Sequence, residues 1–421
     1  MSTPEPAETT LHQSDRVILE HALAEPEGGA GRDLIVLEDA SGELTARALD
    51  AAAARPGARV LGWSASRRLT AALRERFSAQ IAAGSLILPA VDGEPTPLVD
   101  HLAAATSGAS VPAAGAPAAA ADAAADATTS PDGGAATSAG GDLLALMRLP
   151  KALRELDARA RELAVHALAT GAELELVAGG RVKHMSRSQN ETLARTFAEV
   201  AASRGIGKSR ALAACGPRPG TRLLEPARGA ARLRVRGQQR EIPLRGVGGV
   251  FGSASADAGS VLLLETLDAG IASLEGVERA IDLGGGNGLM TAYLAAALPD
   301  AQVLSSDDDA DAVASARLTL AAAGLARDGV SVRWDDALSQ EEPASADLLV
   351  LNPPFHDGTA VDATLVQELL DAAARVLRRG GQLWMVHNSH LRYRPELERR
   401  VGRVQQASRD RRFTVLVATR A

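Results

Sequence analysis

The sequence predicts an α/β protein of two domains, and two observations carry that prediction. The chain has 421 residues, which exceeds one typical domain and is enough for two separate hydrophobic cores. In both halves, short apolar runs alternate with helical stretches, a pattern typical of a parallel sheet covered by helices. We therefore place an N-terminal α/β domain at residues 1–245 and a C-terminal, Rossmann-like doubly wound domain at residues 246–421.

In the N-terminal domain, strands are expected at 33–39, 58–63, 85–88 and 173–177, with helices at 65–82 and from Leu153 onwards. No glycine-rich turn follows any of the first three strands, although such a turn is the usual backbone seat for a nucleotide. We therefore expect this domain to bind no cofactor. Residues 103–141 interrupt it: 18 of these 39 residues are alanine and none is basic, so we predict a disordered insertion.

The C-terminal domain shows a more regular alternation. Strands are predicted at 277–283, 303–307, 330–334, 347–350 and 382–387, helices at 289–298 and 311–323, and a closing hairpin at 403–408 and 413–419. In a doubly wound sheet, ligands bind beyond the carboxyl ends of the strands. Residues that follow the strands are therefore the candidates for a binding site.

The first of these strand ends is an acidic, glycine-rich turn, and two further acidic residues end the next strands. The candidate cofactor-binding residues are Asp282, Gly284, Gly286, Gly288, Asp307 and Asp336. The glycines permit a tight turn and close approach to a ligand, but a dinucleotide fold shares them. A leading carboxylate suits an ammonium group or an ordered water better than a pyrophosphate. Asp307 is placed for the ribose hydroxyls and Asp336 for an adenine amino group, which together favour S-adenosylmethionine.

A second motif, Leu351 to His356, follows the strand at 347–350. Two consecutive prolines stop the strand and leave carbonyl groups without ladder partners. The side-chain oxygen of Asn352, the carbonyl of Pro353 and the ring of Phe355 provide two acceptors and a flat face, the set that holds a planar amino group. These three residues are the catalytic candidates. The alternative is a strand-ending turn with a buried asparagine.

Positive charge is concentrated in the middle of the chain, although the net charge is −7. Residues 1–180 hold 14 basic and 24 acidic side chains, residues 181–245 hold 15 and 4, and residues 246–421 hold 16 and 24. The middle segment therefore carries +11, a local patch able to neutralise phosphates. A solvated surface is the alternative, because arginine is the default cation in a chain with three lysines. We favour a nucleic-acid partner.

Composition indicates a globular protein of a reducing compartment. Apolar residues make up 46% of the chain, and neither a leader pattern nor a long uncharged apolar span is present. The single cysteine, Cys215, excludes an internal disulfide and a cysteine-built metal site. We expect a cytoplasmic monomer with no membrane segment and no metal.

The acidic glycine turn and the strand-end acids resemble those of class I S-adenosylmethionine-dependent methyltransferases. More specifically, the stretches Asn352 to Gly358, Trp384 to Tyr393, Gly249 to Phe251 and Asp257 to Ser260 resemble the RsmC and RlmG family. This resemblance implies that residues 1–245 form a degenerate methyltransferase domain without cofactor. The sequence departs from the family's pattern at Asp307 to Asp309, where the family usually has one acidic residue. Which of the three carboxylates would bind the ribose is therefore left open.

What the resemblance implies is methylation of guanine N2 in ribosomal RNA, in 16S RNA in preference to 23S, with ribosomal RNA or a ribosomal subunit as partner. Related Asn-Pro-Pro-aromatic motifs also serve adenine-N6 and protein glutamine-N5 methylation, because each substrate presents a planar amino group. A non-catalytic ribosomal RNA-binding assembly factor with a vestigial pocket is a third possibility. The histidines His356, His387 and His390 are expected to shape the pocket or contact phosphate, and Trp384 and Tyr393 to pack.

Overall fold

The computed structural model describes residues 11–23, 32–107, 142–270, 274–354 and 360–421. The disordered insertion was predicted over residues 103–141, but residues 103–107 belong to a helix, Leu98–Ser107, so the prediction is wrong for those five. The remainder, residues 108–141, lies outside the described residues, as do Phe355 and His356. The chain forms two compact units. The first comprises residues 1–63, 73–151 and 159–223, and the second comprises residues 64–72, 152–158 and 224–421.

The first unit is built on a seven-stranded sheet with the order β3-β2-β1-β4-β5-β7-β6. Its strands are β1 (Asp33–Leu37), β2 (Val60–Trp63), β3 (Leu86–Ile87), β4 (Leu143–Arg148), β5 (Leu174–Arg181), β6 (Phe197–Ala202) and β7 (Ser209–Pro217). The helices in this part of the chain are α1 (Gln13–Ala22), α2 (Glu43–Ala53), α3 (Arg67–Arg76), α4 (Ser78–Ala82), α5 (Leu98–Ser107), α6 (Leu153–Thr170) and α7 (Arg187–Thr196). All four predicted strands are confirmed, and the helix predicted over 65–82 is divided into α3 and α4.

The second unit holds a two-stranded hairpin, β8 (Ala227–Val235) and β9 (Gln238–Gly246), and a seven-stranded sheet. The sheet strands are β10 (Arg279–Leu283), β11 (Gln302–Asp307), β12 (Val330–Trp334), β13 (Ala346–Leu351), β14 (Leu377–Asn388), β15 (Gly402–Arg409) and β16 (Phe413–Arg420). The helices are α8 (Ala258–Ala269), α9 (Leu289–Ala297), α10 (Ala310–Ala322), α11 (Ala360–Val376) and α12 (Arg394–Arg400). Every strand predicted here is confirmed, including the closing hairpin.

The second sheet has the order β12-β11-β10-β13-β14-β16-β15, so its strands follow one another in the same pattern as those of the first. From β12 to β14 all neighbours are parallel, and β16 is antiparallel to both of its neighbours. Strand order reverses between β10 and β13, which is where a doubly wound sheet offers its binding crevice. Strand β13 is buried along its whole length, so Asn352 is the first residue to leave the core.

The longest segment of the second unit begins at Leu224, whereas the sequence suggested a boundary between residues 245 and 246. The difference arises from the β8–β9 hairpin, which sequence patterning did not reveal. One face of the hairpin carries Ala231, Leu233, Ile242 and Leu244, and these side chains are buried in one cluster with α8, α9 and the sheet. Burial of that apolar face assigns the hairpin to the second unit.

Candidate active site

A cavity of about 770 Å³ lies at the carboxyl ends of β10, β11, β12 and β13, a size usual for a small-ligand site. Its walls come from the glycine turn, the ends of β11 and β12, the turn after β13 and the residues before α8. The predicted site residues in the walls are Gly284, Gly286, Asp307, Asp336, Asn352 and Pro353. The fold therefore brings most of the sequence-based candidates together around one space.

The turn after β10 is held in a shape that depends on its glycines. Gly284 and Gly286 have φ values of 79° and 53°, in the left-handed region that glycine adopts without steric cost. The amides of Gly284 and Gly285 donate to the carbonyl of Ser306 at 2.8 and 3.2 Å. These two bonds attach the turn to β11 and keep its backbone against the cavity.

Two of the cofactor-binding candidates lie behind the cavity wall. Gly288 has φ 81° and precedes α9, and a Cβ there would lie 2.7 Å from the Cα of Ala316. Its role is close packing against α10. Asp282 is 0% exposed, and its Oδ2 accepts from Thr291 at 2.6 Å. Its Oδ1 has no hydrogen-bond partner in the described part of the chain, so the geometry favours an ordered water over direct contact with a ligand.

Burial raises the pKa of Asp282 to about 7 and that of Asp307 to about 6. Asp307 lines the cavity, and each of its oxygens accepts a backbone hydrogen bond at 2.9 Å, one from Gly286 and one from Asp309. These bonds fix the carboxylate between the glycine turn and the start of α10. A carboxylate oxygen has lone pairs left after one such bond, and Asp307 can therefore still accept from a diol.

The neighbouring acids of the triplet also line the cavity, and both are bonded to other groups of the second unit. The carboxylate of Asp308 accepts from the hydroxyl of Ser66 at 2.5 Å and from the amide of Arg68 at 2.7 Å. Asp309 is the N-cap of α10 and accepts from the amide of Asp311 at 2.7 Å. All three residues line the cavity, and Asp307 is the one bonded to the glycine turn, through the amide of Gly286.

Two consecutive acids follow β12, and both line the cavity. Asp335 is buried, and its Oδ1 accepts from the hydroxyl of Ser339 at 2.5 Å, so it closes the local turn. Asp336 is half-buried and lines the cavity. Burial raises its pKa and the charge of Asp308 adds to that rise, while Arg68 lowers it.

The amide of Asn352 is held in one orientation. Its nitrogen donates to Oδ2 of Asp257 and to the hydroxyl of Ser260, both at 2.9 Å. Its Oδ1 is buried and has no hydrogen-bond partner among the residues that the structure describes. Because both amide hydrogens are used, the group presents a bare acceptor at the cavity wall, and a buried acceptor without a partner is costly unless a ligand satisfies it.

Residues 247–257, here called the pre-strand segment, form one wall of the cavity. The side chain of Asn287, inside the glycine turn, donates to the carbonyls of Ser253 and Ser255, both at 2.9 Å. Phe251 lies on this segment, lines the cavity and is 71% exposed. The other aromatic side chains in the described ranges are buried or partly buried. A largely exposed ring at a cavity is a surface for a flat ligand.

The sequence interpretation missed these supporting residues. Asp257, Ser260 and Phe251 appeared in it only as parts of a resemblance, and Asn287 was one of the unassigned positions in the turn. Phe355, a catalytic candidate, lies outside the described residues. His387 is 4% exposed, and Trp384 is 6% exposed with its ring nitrogen bonded to Gln382 at 3.0 Å. Trp384 therefore packs, as expected.

In the described ranges, no group of three or more histidine, cysteine or acidic side chains is arranged to hold a metal ion. Over the same residues, no helix combines the length and apolar character that crossing a bilayer requires.

The methyltransferase small domain family matches residues 241–417. Ribosomal RNA large subunit methyltransferase G of Pseudomonas paraeruginosa is 34% identical over 274 residues, which are 65% of this chain and 70% of the relative. The chain belongs to this family, the RsmC and RlmG type of methyltransferase. Ribosomal RNA small subunit methyltransferase C of Pseudomonas entomophila is 39% identical over 41% of this chain and 49% of its own length.

A solved structure covers almost the whole chain of this methyltransferase. It is the T. thermophilus 16S ribosomal RNA guanine-N2 methyltransferase RsmC in complex with S-adenosylmethionine and guanosine. It superposes with a TM-score of 0.68 and 22% identity, over 98% of this chain and 93% of its own. The predicted fold class, with a Rossmann-like class I methyltransferase sheet in a two-domain chain, is therefore confirmed. S-adenosylmethionine, predicted from the strand-end residues, is the cofactor of this enzyme class.

Proposed function

We propose that this methyltransferase transfers the methyl group of S-adenosylmethionine to the exocyclic N2 of a guanine in ribosomal RNA. The observation that carries the proposal is the buried Oδ1 of Asn352, which has no partner in the described structure and lies at the cavity wall. An amino group attached to a purine ring is the type of donor that this acceptor lacks. The names of the relatives, which are methyltransferases of ribosomal RNA, support the choice of substrate.

The residues of the cavity fit the cofactor. The backbone of Gly284 and Gly286 allows close approach of the aminoacyl part, Asp307 is positioned for the two ribose hydroxyls, and Asp336 can accept from the adenine amino group. Burial and two backbone hydrogen bonds hold the Asp307 carboxylate still before any ligand arrives. Preorganised acceptors of this kind bind without reorganisation. Asp282 supports the turn from behind and makes no direct contact in this proposal.

The chain contributes to the reaction mainly by orientation. Bound S-adenosylmethionine supplies a methyl group activated by a positively charged sulfur. Asn352 Oδ1 and the carbonyl of Pro353 accept the two hydrogens of the guanine amino group, which draws N2 toward tetrahedral geometry and directs its lone pair at the methyl carbon. The new N–C bond forms as the S–C bond breaks, and water takes the surplus proton. Orienting two reactants in this way can supply roughly 7 to 11 kcal/mol of the barrier.

The extent of similarity to two relatives bears on which ribosomal RNA carries the target base. The relative named for the large subunit is similar over 65% of this chain, whereas the relative named for the small subunit is similar over 41%. This difference favours 23S RNA, against the preference for 16S RNA that the resemblance suggested. We further propose a cytoplasmic monomer, in keeping with a ribosomal substrate and the single cysteine.

The first unit, in this proposal, binds no cofactor. After β1, the place of the glycine turn is taken by Asp39, which is 1% exposed. Its Oδ1 accepts from the amide of Gly42 at 3.0 Å, and its Oδ2 accepts from the amide and the hydroxyl of Thr45 at 2.8 and 2.9 Å. These donors sit at the start of α2, where an anion would otherwise bind. The site is therefore already filled by the protein's own carboxylate.

The test uses the purified protein, labelled S-adenosylmethionine and four substrates from cells that lack this protein: small subunits, large subunits and the two deproteinised RNAs. We expect label in one of them, at the N2 of a guanine when the base is mapped. Label at adenine N6, or in a glutamine of a ribosomal protein, would select one of the other planar-amine reactions. Tight cofactor binding without label in any substrate would favour a non-catalytic assembly factor.

A further inference from the structure

The β8–β9 hairpin carries a row of arginines on the face turned away from the core. Side chains in a strand alternate between faces, and Ala231, Leu233 and Val235 point inward. The outward positions are Arg228, Arg232, Arg234 and Arg245. Over residues 227–246, the hairpin holds six basic side chains and one acidic side chain.

The pairing of these arginines is unfavourable for an isolated hairpin. Arg228 stands directly opposite Arg245 in the register, and like charges directly opposite each other destabilise a sheet. Arg232 pairs with Glu241 at 3.1 Å, both of them largely exposed. Arg228, Arg234 and Arg245 have no carboxylate partner in the described part of the chain. Arg228 and Arg245, which face each other without a carboxylate partner, would be stabilised by an anionic ligand.

The hairpin is also attached to the rest of the second unit at two points, and one of them is next to the cavity wall. At its turn, Asp268 accepts from the amides of Arg236 and Gly237 at 2.6 and 3.0 Å. At its base, a Cβ on Gly229 would lie 2.0 Å from the carbonyl oxygen of Ala254, so the strand packs directly on the pre-strand segment. That segment carries Phe251 and leads to Asp257. A polymer held on the hairpin therefore lies next to the wall of the cavity.

We infer that the outer face of the β8–β9 hairpin binds the phosphate backbone of the RNA that carries the target base. This inference rests on the proposed function for the identity of the polymer. Arginine is suited to the role, because its planar group bonds phosphate oxygens in pairs and remains charged. The same backbone contact would fix the register of the RNA, while Asn352 and its neighbours select the base.

The experiment compares two charge-matched double variants of the full chain. Arg228→Gln with Arg234→Gln removes two hairpin charges, and Arg379→Gln with Arg411→Gln removes two exposed charges from other parts of the surface. Binding to deproteinised ribosomal RNA is measured from 50 to 300 mM KCl by fluorescence anisotropy. We expect the hairpin variant to lower the slope of log affinity against log salt by roughly 1.4 to 1.8, the share of two phosphate contacts. The control pair should leave the slope near that of the parent.

Equal slopes in the two variants would overturn the inference. So would a hairpin variant that binds naked RNA normally and fails only on assembled subunits, because the partner of the face would then be a ribosomal protein. Melting temperature and S-adenosylmethionine affinity are measured alongside and should be unchanged. The binding assay requires no methyl transfer, so it can succeed even where guanine-N2 methylation is not found.

Discussion

One oxygen of Asp257 serves two groups: it accepts from the side-chain nitrogen of Asn352 and from the backbone amide of Ser260, both at 2.9 Å. The second bond caps α8, and the first orients the proposed acceptor for the target base. The start of a helix and the orientation of the proposed catalytic amide therefore depend on the same carboxylate. Ser260 completes the arrangement with its hydroxyl.

This relationship predicts how variants around Asn352 will combine. Asn352→Ala should lower turnover by 10²- to 10³-fold, about 2.7 to 4 kcal/mol, as does removal of one preorganised hydrogen bond elsewhere. Ser260→Ala keeps the backbone cap and removes one restraint on the amide, so we expect roughly a tenfold loss in turnover. Melting temperature and cofactor affinity should be unchanged. The double variant should be no slower than Asn352→Ala alone, and additive losses would show that Ser260 acts independently of the amide.

Cofactor affinity should depend on pH through Asp307. Its pKa is raised to about 6 by burial, and ribose hydroxyls donate best to the ionised form. Affinity should therefore be constant above pH 7 and weaken by up to tenfold per pH unit below 6. Calorimetry with S-adenosylmethionine from pH 5 to 8 measures this. Asp282→Asn should keep the dependence, whereas Asp307→Asn should bind weakly at every pH. A flat profile in the unmodified protein would exclude the role of Asp307.

Asp282 should lower the stability of the ligand-free protein as pH rises. Burial raises its pKa to about 7, above the ordinary value of about 3.9, so between these values the folded state binds more protons than the unfolded state. The free energy of unfolding then falls with rising pH until about 7. Asn at this position cannot titrate and still accepts from Thr291. The stability gain of Asp282→Asn should grow by up to about 1.4 kcal/mol per pH unit and level off above 7.

Urea unfolding of both proteins at pH 5, 6, 7 and 8 provides the measurement. The quantity to compare is the difference in the free energy of unfolding between the two proteins, because other groups titrate in the same pH range. Burial lowers the pKa of His101 to about 4, so this residue makes the protein more stable as pH rises from about 4 to 6.5. That contribution is common to both proteins and cancels. A difference that stays constant with pH would mean that Asp282 keeps an ordinary pKa.

Gly285 should tolerate alanine only when Ser305 is also changed. A Cβ on Gly285 would lie 2.0 Å from the Oγ of Ser305, which is 1% exposed. Because Ser305 is buried, we expect Gly285→Ala to displace the turn and weaken cofactor affinity by tenfold or more. The Ser305 hydroxyl has no partner among the described residues, and without it the nearest contact is an ordinary 3.4 Å. Adding Ser305→Ala should restore binding, and failure of the rescue would mean that alanine harms the turn in another way.

Phe251 should matter for RNA and not for stability. Its ring is 71% exposed, so Phe251→Ala should leave the melting temperature unchanged. Stacking on a nucleobase contributes about 1 to 3 kcal/mol, which predicts a fall in kcat/KM for RNA of roughly 5- to 150-fold. Phe251→Trp should retain activity, and Phe251→Leu, which is apolar but cannot stack, should not. Weakened cofactor affinity in Phe251→Ala would instead place the ring against S-adenosylmethionine.

Sequence patterning recovered the second sheet and the strand-end candidates because both depend on local signals. Apolar runs mark strands, and the candidates lie at their ends: Asp307 ends β11, Asn352 directly follows β13 and Asp336 comes two residues after β12. The hairpin and Asp257 were missed for two different reasons. An arginine-rich strand such as β8 has too few apolar positions to be recognised, and the bond between Asp257 and Asn352 joins residues 95 positions apart. Distinguishing Asp307 from Asp308 likewise required knowing which distant groups each carboxylate contacts.

The hydrogen bonds from Ser66 and Arg68 to Asp308 limit where the gene could be divided. The compact unit that holds the cavity includes residues 64–72, and the ring nitrogen of Trp334 also donates to the carbonyl of Ala65 at 3.1 Å. A gene split at residue 224 would therefore encode a polypeptide without part of its own catalytic unit. Shuffling of one half as an autonomous module is disfavoured by this arrangement, so the two sheets are expected to be inherited together.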